Sequence, residues 1–182
     1  MSENPVVQMI FVVIIVLVFG YYTVRSLQQY HQFRIASKEF LASHTDTEPY
    51  RSSKAWFVWI ALGCALSLFF AILGTMDQSM DLSSTISFYA LAVAFVGLYA
   101  EGYTRRNVWY TDDGFFFIDT YYRFRSIRGF EEKGKFAKSM EITLTNQEYL
   151  DLPMGLGTDI RNRYEQWKVN KKKNKRHGSR KK

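Results

Sequence analysis

Three stretches of this chain run for about twenty positions without a charged side chain, long enough for helices rising about 1.5 Å per residue to cross a hydrocarbon layer about 30 Å thick. The first covers residues 4–24, between Glu3 and Arg25, with an unbroken aliphatic and aromatic run over residues 10–19. The second is Ala55–Met76, between Lys54 and Asp77. The third covers residues 82–100, between Asp81 and Glu101, and is the least apolar because Ser83, Ser84, Thr85 and Ser87 crowd its start. Core helices of soluble proteins carry a polar stripe every three to four residues, and the first two stretches have none. The first could also be read as a cleaved leader. Its opening Met-Ser-Glu-Asn has no positive charge, however, and no small-x-small cleavage pattern follows, so a retained anchor is expected.

Between the first two spans, Leu27, Tyr30, Phe33, Ala36 and Phe40 recur at helical spacing. The pattern predicts that the first span continues as an amphipathic helix over about residues 25–43, ended by Thr45-Asp46-Thr47-Glu48-Pro49. Two places suit its aromatic face, the lipid headgroups or the C-terminal domain, and the sequence leaves both open.

From Asn107 the periodicity shortens to two, in runs rich in aromatic and β-branched residues, which predicts strands. Val108-Trp109-Tyr110-Thr111 and residues 115–119 flank Asp112-Asp113-Gly114, a hairpin in which the Asp-Gly pair is expected to supply positive φ angles. A longer bent strand is expected over residues 121–130. Met140, Ile142 and Leu144 alternate with Glu141, Thr143 and Thr145, giving a strand with one buried face. Asn146 marks a turn, and residues 148–152 make a further strand closed by Pro153. Beyond Gly155-Leu156-Gly157, Thr158 or Asp159 is the expected N-cap of a helix whose Ile160, Tyr164 and Trp167 share one face. About five strands closed by one C-terminal helix is the element order of a pleckstrin-homology-like half-barrel.

Charge divides the same chain differently. Although 47% of the 182 residues are hydrophobic, 19 of the 24 Lys and Arg residues follow Thr104. The first loop holds Arg25, Arg34, Lys38, Arg51 and Lys54, whereas the second, residues 77–81, has two aspartates and no positive charge. Cytoplasmic loops carry the Lys and Arg excess. The expected topology is therefore multi-pass in the cell membrane, with the N-terminus outside and the C-terminus cytoplasmic.

Residues 105–167 balance ten basic against ten acidic residues, which argues against a nucleic-acid platform. Residues 168–182 have nine basic residues and no acidic ones. With almost nothing apolar to bury, this segment is expected to be a disordered polybasic tail. Its Lys168, Lys171, Lys172, Lys173, Lys175, Arg176, Arg180, Lys181 and Lys182 are the candidate contacts for anionic lipid headgroups, favoured by the nearby anchor over the two other readings left open, RNA and nothing specific. The expected organisation is thus a membrane domain over residues 1–104, a cytoplasmic β-domain over 105–167 and the tail over 168–182.

Candidate chemistry is sparse. The single cysteine, Cys64, is flanked by apolar residues and reads as a small buried thiol. His31, His44 and His177 lack metal-ligand spacing, so neither a metal nor a cofactor is expected. No nucleophile elbow or phosphate loop occurs, and Asp112-Asp113 reads as a turn before it reads as a carboxylate pair. Glu101, four residues before Arg105, fits a surface ion pair at the inner membrane boundary. No enzyme is expected.

Three spans, the hairpin with Asp113-Gly114-Phe115-Phe116-Phe117, the bend at Phe124-Arg125-Ser126-Ile127-Arg128, then two strands and a helix resemble the YobD-like family of uncharacterised three-span bacterial membrane proteins. More loosely, the layout is similar to bacterial membrane proteins carrying a pleckstrin-homology-like domain. The resemblance implies a fold and brings no activity with it. In pleckstrin-homology domains that bind phosphoinositides, the first hairpin loop is basic; here Asp112-Asp113-Gly114 is acidic, which argues against that ligand. A scaffold or regulatory protein whose cytoplasmic domain binds another protein is the leading expectation. The alternative is a resistance or immunity factor, or a transport accessory, acting through its transmembrane helices.

Overall fold

The computed structural model describes residues 5–50, 54–76, 81–135 and 138–179. Most of the second loop, residues 77–80, lies outside them. The chain forms two compact units: residues 1–34 with 53–104, and residues 35–52 with 105–182.

The first unit is helical. Helix α1 (Pro5–Ser43) begins in it, and α2 (Ala55–Met76) and α3 (Leu82–Arg106) complete it. All three are long and apolar enough to cross a membrane, and the chain is a multi-pass membrane protein by that measure. Small residues set how closely the helices approach, as in membrane bundles, where no hydrophobic force draws helices together. An added methyl at Gly97 would meet the Tyr22 ring at 2.9 Å and the Thr23 Cα at 3.0 Å, so α3 lies directly on α1. At Gly63 it would meet the Phe95 ring at 2.6 Å, and at Gly102 the Trp56 indole nitrogen at 2.6 Å, so α3 also lies on α2. Polar groups bridge the same seams: Thr23 Oγ1 donates to the Val93 carbonyl at 3.0 Å, and the Tyr22 hydroxyl donates to the Glu101 carboxylate at 2.5 Å. Cys64 points its thiol at the Ala92 carbonyl, 3.8 Å away.

The second unit holds two antiparallel sheets and a helix. Strands β1 (Glu48–Pro49), β2 (Val108–Thr111), β3 (Gly114–Phe117) and β4 (Thr120–Arg123) pair in that order. Strands β5 (Ile127–Lys133), β6 (Ser139–Leu144) and β7 (Tyr149–Pro153) form the second sheet. The expected long strand over 121–130 is broken by a 3-10 turn at Phe124–Ser126, which drops Phe124 into the core and separates the sheets. Val108, Tyr110, Phe115, Phe117, Ile142 and Leu144 fill the space between them, with Leu156 and Ile160 entering from helix α4 (Met154–Ser179).

Four expectations change. Gly114 does not have a positive φ; Ile118 (59°), Gln147 (67°) and Gly134 (85°) do. Glycine stands at 114 because any side chain there would collide with the Tyr122 carbonyl and the Tyr121 hydroxyl. Helix α4 starts at Met154 rather than at Thr158 or Asp159, and the Thr158 hydroxyl bonds back to the Met154 carbonyl at 2.8 Å. The glycines expected to precede the helix are inside it, and Gly157 leaves room for Met140.

The third change concerns residues 168–179, which are helical where a disordered tail was expected. Lys and Arg are good helix formers and no proline intervenes, so a helix already nucleated on the core propagates through them. Residues 180–182 lie outside the described residues. Last, residues 35–52, assigned to the membrane domain by their position in the chain, belong to the second unit. Of the two places open to the aromatic face, Phe40 takes the C-terminal domain: it stacks on Phe116 at 4.6 Å and on Tyr121 at 5.5 Å.

Candidate functional site

One concavity of the second unit surrounds Arg163. Strand β1 brings Glu48 beside it, because Glu48 pairs with Tyr110 and Pro49 with Trp109 at the edge of the first sheet. The chain then bonds on from the Tyr50 amide to the Val108 carbonyl at 2.8 Å. Helix α4 supplies Asp159 and Arg163, one turn apart on the face that meets β1 and β2. The Arg163 guanidinium lies 4.0 Å above the Tyr110 ring. It bonds Glu48 at 2.9 Å and Asp159 at 3.5 Å.

Two cavities share this arginine in their linings. One, of about 530 Å³, is lined by Glu48, Pro49, Tyr50, Asp159 and Arg163. The other, of about 430 Å³, is lined by residues 45–48, Tyr110, Thr111, Asp112 and Arg163. Asp46, Glu48, Asp112 and Asp159 thus line one or both cavities with Arg163, and Glu48 and Asp159 pair with it. Arg106 is a second cation close enough to act on Tyr50.

Under the arginine, Tyr110 is 1% exposed and its hydroxyl is buried beside the Asp159 carboxylate. Its pKa is pushed far up, first by burial and then by the nearby Asp159 carboxylate. Tyr50 is raised for the same two reasons. Both phenols therefore stay neutral, and the site offers carboxylates, phenol oxygens and one aromatic face. Such a set holds cations. It lacks a nucleophile with an adjacent base, the constellation that acyl transfer requires.

The candidate contacts named from sequence lie elsewhere on α4. Lys168, Lys171, Lys172 and Lys173 are exposed on its surface. The Lys168 ammonium sits over the Tyr164 ring at 4.4 Å and near Glu165 at 3.5 Å, and the Lys171 ammonium sits over Trp167 at 4.6 Å. Lys175 and Arg176 are on the same helix, with their side chains outside the described set, and Arg180, Lys181 and Lys182 lie beyond the described residues. His44 stacks on Phe40 at 4.3 Å, and no group of three His, Cys, Asp or Glu side chains among the described residues is placed to hold a metal.

Reading the sequence missed the Arg163 site. The only local signal was the four-residue spacing of Asp159 and Arg163, common on any exposed helix; Glu48 arrives from 115 positions away. In comparisons with known proteins, no family model, no curated protein and no solved structure matches this chain.

Proposed function

We propose that this chain is a non-enzymatic membrane scaffold or regulator that presents a pleckstrin-homology-like module to a protein partner at the cytoplasmic face of the cell membrane. The observation that carries the reading is the composition of the second unit. Residues 35–52, continuous with the first span through α1, supply Phe40, β1 and Tyr50 to a domain otherwise built from residues after 104. A folded module that borrows part of its structure from a membrane helix is built to work at a membrane.

Several features support the parts of this proposal. A four-stranded and a three-stranded antiparallel sheet, with one C-terminal helix inserting Leu156 and Ile160, follow the plan of a pleckstrin-homology-like half-barrel. The likeness to the YobD-like family rests on the same element order. Five Lys and Arg residues in the first loop against none in the second favour an outside N-terminus. The exposed lysines of α4 and the charges beyond it suit anionic headgroups, for which an anchored domain has a high effective concentration. Residues 105–167 are formally neutral, which favours protein over nucleic acid as the main partner.

A second reading, action through the spans, draws on the Tyr22–Glu101 hydrogen bond, since polar pairs at membrane helix seams often serve function. Proximity labelling in native membranes, with the intact chain and with α2 and α3 replaced by unrelated spans, separates the two. A partner set retained after the replacement supports the scaffold. A set lost while the protein still inserts and folds supports the span-acting reading.

A further inference from the structure

We infer that the open edge of β4, with the slot beside it and the arginines at its end, is a docking site for an extended, acidic segment of a partner protein. The inference rests on the interaction-module reading for the existence of a partner; the place and the chemistry come from the edge itself.

Strand β4 is the last of its sheet, so only one of its sides is paired. The Phe124 amide donates to the Asp113 carbonyl at 2.8 Å, which in the register of β3 and β4 makes Phe115 with Tyr122, and Phe117 with Thr120, the hydrogen-bonded pairs. The amide and carbonyl of Tyr121 and the amide of Arg123 therefore point away from β3. None of the three has a hydrogen-bond partner among the described residues. Such an edge is a template for another strand. Beside it lies a cavity of about 470 Å³, largely apolar, walled by Tyr121 and Tyr122 of β4 and by Leu144 and Thr145 where the chain turns from β6 to β7.

Charge decides which segment fits. Arg123 ends β4, Arg125 stands in the 3-10 turn and Arg128 sits where the register of β5 shifts; Ser126, between the last two in the chain, lines the cavity. All three arginines are exposed, and none has an ion-pair partner among the described residues. Phe124 and Ile127, buried between them, tie this segment to the core, so the guanidinium forks, which suit carboxylates, are presented from a fixed backbone. Protein interfaces are enriched in arginine and depleted in lysine. The candidate lipid contacts on α4 with described side chains are lysines, so the two basic groups are fitted to different partners. The start of β4 is acidic instead: Asp119 and Glu148 are close enough to act on Tyr122. Added antiparallel, as every strand pairing among the described residues is, an incoming strand leads with its acidic residues at the Arg123 end and follows with apolar ones.

The test uses the full-length protein in neutral phosphatidylcholine nanodiscs, with fluorescent acetyl-Glu-Asp-Glu-Val-Thr-Val-amide titrated in by anisotropy. Saturable binding is expected, at least tenfold tighter than that of a Lys-Lys-Lys-Val-Thr-Val version and of a version N-methylated at its Val-Thr-Val amides. Arg125→Gln with Arg128→Gln should weaken it at least tenfold, and Lys172→Gln with Lys173→Gln should leave it unchanged. Position 123 separates charge from edge. Its φ of -81° suits proline, so Arg123→Gln removes the charge alone and Arg123→Pro removes the edge amide as well. The Gln variant should bind several-fold more weakly than the unaltered protein, and the Pro variant at least tenfold more weakly than the Gln variant, both with the thermal unfolding midpoint of the second unit retained. If Arg123→Pro unfolds, the N-methylated peptide reads the edge without it. Dihexanoyl-phosphatidylglycerol, added as monomer, should not compete. Equal binding of the Lys-led or the N-methylated peptide, indifference to the arginines, or no binding at all would overturn the inference, and competition by the acidic lipid would overturn it by giving the arginines to headgroups. A partner recovered by proximity labelling under any of those outcomes would leave the scaffold reading standing without this site.

Discussion

At the scale of single residues, side chains that look alike in the sequence do different work. Gly114 occupies the position of a hairpin glycine, yet its φ is not positive and its role is clearance from Tyr121 and Tyr122. Gly114→Ala is therefore expected to destabilise the second unit by about 1–3 kcal/mol through overpacking, measured by denaturant unfolding. A conformational role would instead predict rescue by Asn, which favours the left-handed region but is larger still; Asn should be worse than Ala. The tyrosines make a pH prediction. Burial raises Tyr110, Tyr50, Tyr121 and Tyr122 above the ordinary value of about 10. A group whose folded pKa is raised keeps its proton when the unfolded chain has lost it, so its contribution is complete below about pH 10 and is lost above it. The unfolding midpoint should hold from pH 7 to 9 and fall by pH 11. Tyr110→Phe should flatten that fall, and an unchanged alkaline slope would show that Tyr110 does not titrate with unfolding.

At the scale of elements, Phe40 tests whether the end of α1 is part of the second unit. It is 7% exposed and stacks on Phe116 and Tyr121, so Phe40→Ala should cost about 3 kcal/mol, the usual range for emptying a buried aromatic site. A piece beginning at Arg105 would also lack this ring, Tyr50 and strand β1, and is expected to be poorly folded even though it holds six of the seven strands. The elements themselves were largely legible. Charge-free runs gave α2 and α3, alternation over residues 140–144 gave β6, and the aromatic run after Gly114 gave β3. These signals are local and come from one repeat each. Strand β1 was not legible, because two residues containing a proline have no periodicity and form a strand only against β2. A bend at Phe124 was expected, but its form, a 3-10 turn that breaks the strand, and the early start of α4 were missed for a similar reason. Tertiary packing, of Phe124 into the core and of Gly157 beneath Met140, decides both. The Arg163 site joins residues far apart in sequence and left only an Asp-Arg spacing to read.

For the whole molecule, charge placed along the chain is expected to set both topology and surface contact. With Cys64 replaced by Ala, a cysteine at Ser79 should react with an impermeant thiol reagent in intact cells, and one at Ser52 should react only after lysis; the reverse pattern would invert the topology. The basic end of α4 calls for a finer argument, because its lysines are not all alike. Lys168 and Lys171 lie over Tyr164 and Trp167, where a cation is attracted to the face of the ring. Lys172 and Lys173 are exposed and make no such contact with a ring among the described residues. Near an anionic leaflet each Lys or Arg contributes about 1 kcal/mol, within a Debye length of about 8 Å at physiological salt. Changing Lys168 and Lys171 to Gln should thus lower the stability of the second unit, whereas changing Lys172, Lys173 and the charges after them should not. The second set should instead lose the protection from protease that anionic nanodiscs give over neutral ones, and the loss should be reproduced in the intact protein by raising salt. If protection is the same in neutral nanodiscs at high salt, the extension is held by protein packing, and the lipid contact proposed for it is wrong.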